Sequence, residues 1–178
     1  MIGGGAARIG AAEAHRLRAR GSIALGLLLA ASCSSGPARP AAVDTLNDSC
    51  GSCRMAVSDP RFAAQIVAPG EEPRFFDDLR CLRDYLAQAP ALPPHAVAFV
   101  ADHRTGTWVR AARAAYVQVP ALETPMGSHW VAYADAASRD ADPYARGGTP
   151  LPAAAIFGTG PLPDAGALER GEAEGRHA

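Results

Sequence analysis

The chain has 178 residues, a formal net charge of −1, 48% hydrophobic residues and four cysteines. This length and apolar content suffice for one compact domain, and the cysteine content is too low for a fold built mainly from disulfides. The chain contains no lysine and no basic stripe, which argues against nucleic-acid binding.

Residues 1–32 predict a secretory signal peptide. Three arginines, the last of them Arg20, precede the apolar run 23–31, and small residues then lead into Cys33. An apolar run of this length is too short to cross a hydrocarbon core about 30 Å thick as a helix. The order of a basic segment, a short apolar segment and small residues is that of a cleaved export signal.

The sequence LAASC, which ends at Cys33, resembles a bacterial lipobox, in which the cysteine is acylated and becomes the first mature residue. Residues 33–47 are polar and contain proline, and they predict a tether. We therefore expect a lipid-anchored protein of the cell envelope that faces the periplasm, on a membrane that the sequence does not determine. The alternative is a plain signal peptide cut near Ser32. In both cases the domain is expected outside the cytoplasm, where thiols tend to oxidise.

The folded domain is expected between residues 48 and 157. Residues 158–178 are rich in proline, glycine and charge and predict a disordered tail. Without the leader, the chain carries 13 basic and 17 acidic residues, so that its net charge is near −4.

Two apolar segments, 62–68 and 74–76, predict a β-hairpin because turn residues separate them. Leucines recur on one face of the following segment, which predicts a helix over 77–88. Asp77 or Asp78 is expected to cap the start of this helix.

Strands are predicted over 95–103, at the two ends of 108–119, and over 129–135. A helix-like segment follows at 135–148, although Pro143 limits its length. The order of predicted strands and helix in the second half of the chain thus weakly repeats the order in the first half. We predict an α+β fold of two related β-rich units, each with one helix and a small antiparallel sheet.

The segment DSCGSCRMAV, residues 48–57, places two thiols and a thioether within six residues. Thiolate and thioether are soft ligands, which together favour Cu(I). In an extended backbone, Cys53 and Met55 would point to the same side and could bind one ion. Zinc normally takes four ligands, and the sequence shows no second cysteine pair.

Two alternatives remain for Cys50 and Cys53, which form a Cys-x-x-Cys pair. A thiol–disulfide exchange site usually lies between a strand and a helix, whereas here the preceding residues are polar and Pro60 follows closely. A structural disulfide between the same two residues is the other alternative in an oxidising compartment.

Met126 lies between Pro125 and Gly127, in a predicted loop, and is a candidate distal ligand; the alternative is a core methionine. His129 follows three residues later as a further candidate ligand. Cys81 is expected to lie inside the helix, off its leucine face, as a structural thiol.

His95 and His103 flank a predicted strand and are expected at the surface. No arrangement typical of a hydrolytic or general acid–base site is evident in the sequence.

Several segments together resemble the NosL family of nitrous oxide reductase accessory lipoproteins. They are LAASC, CGSCRM followed by SDPRFAAQIV, FFDDLRCLRDYL and PMGSHWVAYAD, and the resemblance spans residues 48–133. It implies an α+β fold of two small ββαβ-like units with antiparallel sheets. It further implies a Cu(I)-binding protein, not an enzyme, that delivers copper for the copper-sulfide centre of apo nitrous oxide reductase.

Carried over residue by residue, the family's metal ligands fall on Cys53, Met55 and Met126. Arg54 stands where many relatives have glycine, which permits turns that arginine resists. Cys50, present in part of the family, is a possible third sulfur ligand or redox partner. An extracytoplasmic thiol–disulfide oxidoreductase that uses the CGSC pair is the alternative function.

Overall fold

The computed structural model describes residues 37–88 and 91–164. The predicted signal peptide 1–32 and the predicted lipidation site Cys33 lie outside the described residues, as does the predicted tail from residue 165 onward. Among the described residues, no helix is both long and apolar enough to cross a membrane.

The described residues form seven strands and three α-helices. The strands are β1 (Ala64–Val67), β2 (Arg74–Phe76), β3 (Val97–Ala101), β4 (Trp108–Arg110), β5 (Ala115–Gln118), β6 (Trp130–Tyr133) and β7 (Thr149–Leu151). The helices are α1 (Leu79–Gln88), α2 (Ala136–Ala141) and α3 (Ala153–Phe157). Short 3-10 helices lie at Pro60–Phe62, Ala111–Arg113 and Pro143–Ala145.

The strands form two antiparallel sheets, with the orders β2-β1-β3-β4 and β6-β5-β7. In each sheet, the first strand of a unit lies between the second strand and the strand that follows the helix. The units β1-β2-α1-β3 and β5-β6-α2-β7 therefore share one ββαβ arrangement, and β4 extends the first sheet. This confirms the predicted α+β class and the predicted relation between the two halves.

The first hairpin and its following helix agree with the hydrophobic pattern. β1 and β2 pair so that Ala64 lies opposite Phe76, which confirms the hairpin. The helix begins at Leu79, one residue after the acidic cap Asp78, whose Oδ1 accepts a hydrogen bond from the backbone N–H of Arg80 at 2.7 Å. A side chain that accepts from the second helical N–H is the usual N-cap arrangement.

The two units share one hydrophobic core. Burial of apolar side chains from both sheets and from α1 and α3 provides the main stabilisation of such an arrangement. The large buried side chains of this core include Phe76, Leu82, Val100, Tyr116 and Ile156.

Asp102, which is fully buried, links the end of β3 to the end of β6. Its Oδ2 accepts from the backbone N–H of Ala134 at 2.8 Å, and its Oδ1 accepts from those of Arg104 and Thr105. These hydrogen bonds compensate for the burial of the carboxylate. They also join the end of β3 in the first sheet to the end of β6 in the second.

The segments that flank the domain also contact it. The side-chain amide of Gln65, which is fully buried in β1, bonds to both the N–H and the carbonyl of Ala41, in the predicted tether. Beyond α3, the carbonyl of Pro163 accepts from the N–H of Ala98 at 2.9 Å. Residues near both ends of the described chain thus lie against the first sheet.

His95 is exposed, as expected from the sequence, but the prediction of a surface position for His103 is wrong. His103 is 2% exposed, and its Nδ1 lies 2.8 Å from Oδ2 of Asp142. Its ring packs against Phe62 and Tyr133. The fold of the second unit covers this histidine, which local sequence did not indicate.

Candidate metal centre

The segment that carries Cys50 and Cys53 is a tight turn. The N–H of Cys50 donates to the carbonyl of Met55 at 2.7 Å, and the N–H of Arg54 donates to the carbonyl of Cys50 at 3.1 Å. Arg54 has φ 69°, in the left-handed region. The expectation that Cys53 and Met55 share one extended strand is therefore wrong, because the backbone reverses at Arg54.

Gly51 attaches this turn to β2. Its N–H donates to the carbonyl of Phe75 at 2.7 Å. A Cβ atom on Gly51 would lie 2.7 Å from Cγ of Arg74, closer than van der Waals contact permits. A residue without a side chain is needed here because the turn lies directly on the strand.

Four potential metal-binding groups converge where this turn meets α1. One ligand atom from each of Cys50, Cys53, Asp77 and Cys81 lies within 4.8 Å of the others. Cys50, Asp77 and Cys81 are buried, whereas Cys53 is partly exposed. The turn supplies two thiols, and the start of α1 supplies the carboxylate and the third thiol.

Cys81 lies inside α1, as predicted, and the fold also places its thiol in this cluster, which the prediction of a structural thiol did not include. Asp77 lies two residues before α1 begins, and Cys81 lies four residues later in the first turn of the helix. That spacing is the signal that could have linked them. The chain has no second cysteine pair, but the fold adds Asp77 and Cys81 to the Cys-x-x-Cys pair, so that four potential ligand groups lie together.

Burial and hydrogen bonds raise the pKa values of the Cys53 and Cys81 thiols of this cluster, which favours their protonated forms. The Sγ of Cys53 donates toward the Asp77 carboxylate, at 3.5 Å from both oxygens. Burial raises the pKa of the Cys53 thiol above its ordinary value; the Met55 N–H lowers it, and Cys50 and Asp77 raise it further. A bound cation would replace these protons, which couples metal binding to proton release.

Burial also raises the pKa of the Cys81 thiol, far above its ordinary value, and a hydrogen bond to Asp77 adds to this effect. The three cysteines of the described residues, Cys50, Cys53 and Cys81, are free thiols. The site therefore offers up to three sulfur donors and one carboxylate.

The candidate distal ligand Met126 lies in a loop, as predicted. The N–H of Gly127 donates to the carbonyl of Thr124 at 2.9 Å and closes a turn around Met126. The N–H of Met126 donates to Oδ2 of Asp78 at 3.0 Å. Met126 and Cys53 both pack against the hydrophobic core that includes the other two cysteines. The fold thus brings the methionine loop to the start of α1.

Met55 and His129 occupy different surroundings. Met55 is 48% exposed, next to the turn. His129 adopts φ 59°, and its Nδ1 lies 2.8 Å from the carbonyl oxygen of Leu122, so that this nitrogen bonds to the backbone. Among the described residues, His129 does not belong to the four-group cluster.

Comparison with protein-family models matches residues 41–156, well over half of the chain, to the family described as NosL. The matched range includes the cysteine turn, α1 and the Met126 loop. No curated protein and no solved structure matches the chain. The cysteine-rich cluster and the family match together fit a copper-binding role.

Proposed function

The chain belongs to the NosL family of copper-binding accessory proteins, and we propose that it is a Cu(I) metallochaperone rather than an enzyme. In this proposal it is a lipoprotein, held at the periplasmic side of an envelope membrane by lipid on Cys33. It delivers copper to apo nitrous oxide reductase for assembly of the copper-sulfide centre.

The observation that carries the proposal is the convergence of three free thiols with Asp77 at a site adjoining the Met126 loop. Sulfur ligands favour Cu(I) over hard cations. We assign Cys53, Met55 and Met126 as the ligands, with Cys50 as a further sulfur.

The exposure of these groups supports a site that can both hold and release copper. Cys50 is buried, Cys53 is partly exposed, and Met55 is half exposed. An acceptor's ligand can therefore approach from the Met55 side before the bond to Cys53 breaks. Met55 and Met126 are neutral donors that an incoming thiolate can displace one at a time, whereas Cys53 supplies the charge that binds the monovalent ion.

The second candidate function is thiol–disulfide exchange. Its supporting observation is that Cys50, Cys53 and Cys81 are free thiols with sulfur atoms within 4.8 Å of one another. The thiolate is the nucleophile in such reactions, and reactive cysteines usually have lowered pKa values. Burial raises the pKa of both Cys53 and Cys81, which disfavours this function.

An anaerobic Cu(I) titration of the full chain in detergent, with a competing chelator and native mass spectrometry, tests the proposal. We expect one Cu(I) per chain, loss of tight binding in Cys53→Ser, and weaker binding in Met55→Leu and Met126→Leu. Cys50→Ser separates the two functions, because a disulfide exchanger would lose its turnover with a disulfide substrate and a thiol reductant in that variant. Tight Cu(I) binding by Cys53→Ser would refute the proposed site.

Delivery and anchoring need separate measurements. Copper-loaded protein incubated with apo nitrous oxide reductase should lose its metal to the enzyme, and copper-loaded Met55→Leu should transfer copper at a different rate.

Metabolic labelling with a fatty acid tests the anchoring site, and it should mark the wild type and not Cys33→Ser. Labelling of the variant would contradict the anchoring site while leaving the copper site untouched.

A further inference from the structure

We propose that Asp78 and Thr124 are positioning residues, which hold Met126 at the copper site by joining the methionine loop to the start of α1. This inference rests on the proposed function for the role of Met126. The contact between the methionine loop and the start of α1 is made by the hydrogen bonds of one buried carboxylate, that of Asp78.

The two oxygens of Asp78 serve different parts of the site. Oδ1 accepts from the N–H of Arg80 at 2.7 Å and caps α1. Oδ2 accepts from the hydroxyl of Thr124 at 2.7 Å and from the N–H of Met126 at 3.0 Å. Asp78 is fully buried and adjoins Asp77 of the cluster. One side chain therefore connects the helical turn that carries Cys81 to a loop more than 40 residues away.

Helix capping alone does not require this carboxylate. Serine, threonine and asparagine cap a helix about as well as aspartate. Among the described residues, Asp78 makes no ion pair, so that its charge is offset by N–H and O–H donors alone. Hydrogen bonds to an ionised acceptor are stronger than neutral ones. The second oxygen thus has a use that a neutral cap would not provide: it holds the loop.

Thr124 organises the loop around a single hydroxyl. Its Oγ1 donates to Asp78 and accepts from the N–H groups of Ser128 at 3.0 Å and His129 at 3.2 Å. Thr124 is 8% exposed, so that water does not readily replace these bonds. Since the hydroxyl hydrogen points to Asp78, its lone pairs are left for the two backbone donors.

Positioning matters for Met126 because a thioether is a weak, neutral donor on a side chain with three rotatable bonds. Such a ligand contributes to affinity when its backbone is already in place, since less freedom is then lost on binding. Loss of a hydrogen bond that orients a metal ligand typically lowers metal affinity about 10–100-fold. Asp78 and Thr124 supply that fixed backbone position.

The test is a double-mutant cycle on Cu(I) affinity with the full chain. Thr124→Val keeps the side-chain volume and removes the hydroxyl, whereas Thr124→Ser keeps the hydroxyl. We expect Thr124→Val to weaken Cu(I) binding about tenfold and Thr124→Ser to bind like the wild type. In a Met126→Leu background, Thr124→Val should have no further effect. Equal weakening in both backgrounds would overturn the inference.

Asp78→Ser tests the carboxylate with the cap retained, because serine can still accept from the N–H of Arg80 but has no second oxygen. It should weaken Cu(I) binding as Thr124→Val does. Asp135→Ser is the matched control, since Asp135 caps α2 by accepting from the N–H of Ser138 at 2.8 Å. That variant should bind Cu(I) normally even if its stability changes.

A metal-free measurement separates this inference from the proposed function. In copper-free protein labelled with 13C at the methionine methyl groups, Thr124→Val and Asp78→Ser should shift and narrow the Met126 signal and leave the Met55 signal unchanged. Absence of Cu(I) binding by the wild type would refute the proposed function but leave this measurement valid. An unchanged Met126 signal in both variants would refute the positioning role.

Discussion

Both carboxylate oxygens of Asp77 lie 3.5 Å from the sulfur of Cys53, although the two residues are 24 positions apart. The next residue, Asp78, caps α1 and bonds to the methionine loop. Two adjacent aspartates thus have different roles: one faces the thiols and the other connects the helix to the loop. In the sequence they look like a simple pair of capping residues.

Replacing Asp77 with asparagine should lower the pKa of the Cys53 thiol. The negative charge of Asp77 is one of the causes that raise this pKa, after burial and a hydrogen bond to Cys50. A neutral amide also donates a hydrogen bond to a thiolate, which favours the charged form. The pH dependence of alkylation of Cys53 in copper-free protein measures this change.

Asp84→Asn is the control for that experiment, because Asp84 lies farther along α1 and pairs with Arg83. Its alkylation profile should match that of the wild type. A profile unchanged in Asp77→Asn would contradict a direct effect of the carboxylate on Cys53.

Arg54→Gly should stabilise the copper-free protein. Arg54 has φ 69°, and a left-handed conformation costs a residue with a Cβ about 1–2 kcal/mol. The greater freedom of glycine in the unfolded chain offsets part of this gain, so that a net stabilisation of about 0.5–1 kcal/mol is expected. Urea denaturation measures the difference.

Arg113→Gly provides the comparison, because Arg113 is exposed and does not adopt positive φ. This substitution should destabilise the protein by about 0.5–1 kcal/mol, the usual effect of added backbone freedom. Destabilisation of equal size in both variants would show that Arg54 is not strained.

Gly51→Ala should displace the cysteine turn from β2. The added methyl group would lie 2.7 Å from Cγ and 2.9 Å from Cδ of Arg74. Overpacking of this kind typically costs about 1–3 kcal/mol, and Cu(I) binding should weaken because Cys50 and Cys53 move with the turn. Thermal unfolding and the chelator competition measure the two effects.

The double variant Gly51→Ala with Arg74→Ala tests the cause. Arg74→Ala removes Cγ and Cδ, the atoms closest to the added methyl group. Gly51→Ala should therefore destabilise the Arg74→Ala protein much less than it destabilises the wild type. If the destabilising effects of the two substitutions simply add, the contact with Arg74 is not the cause of the strain in Gly51→Ala.

Asp142→Asn should reduce the loss of stability in acid. Burial raises the pKa of Asp142, but hydrogen bonds with His103, Tyr133 and the N–H of Tyr144 outweigh it, so that the pKa falls below the ordinary 3.8. A carboxyl group with a lowered folded-state pKa stabilises the fold above its unfolded pKa. That contribution is lost as the pH falls through the folded-state value.

Urea denaturation between about pH 6 and about pH 2.5 measures this dependence. The wild type should lose more stability below about pH 4 than Asp142→Asn, which should be less stable by about 1–3 kcal/mol near neutral pH because a buried hydrogen-bond acceptor is changed. Asp140→Asn is the control, since the Asp140 side chain is 67% exposed, and it should follow the wild type. Parallel curves for all three proteins would contradict the prediction.

The sequence by itself determined the hairpin of β1 and β2, the bounds of α1 within two residues, and the α+β class. These features follow from hydrophobic periodicity and turn residues, which act between near neighbours in the chain. The sequence motifs also predicted the family, to which the match at 41–156 assigns the chain. The cysteine turn was located from sequence, but its backbone conformation was not, because this depends on the hydrogen bonds within the turn and on the bond from Gly51 to Phe75 of β2.

Only the tertiary structure decided which groups surround Cys53. Cys81 and Asp77 reach it because α1 packs beside the turn, and the loop of Met126 reaches Asp78 because the second unit packs on the first. Burial of His103 has the same origin, in its contact with Asp142. Contacts between residues 24 to 48 positions apart depend on how the two sheets and α1 share one core. Spacing along the chain carries no information about that packing.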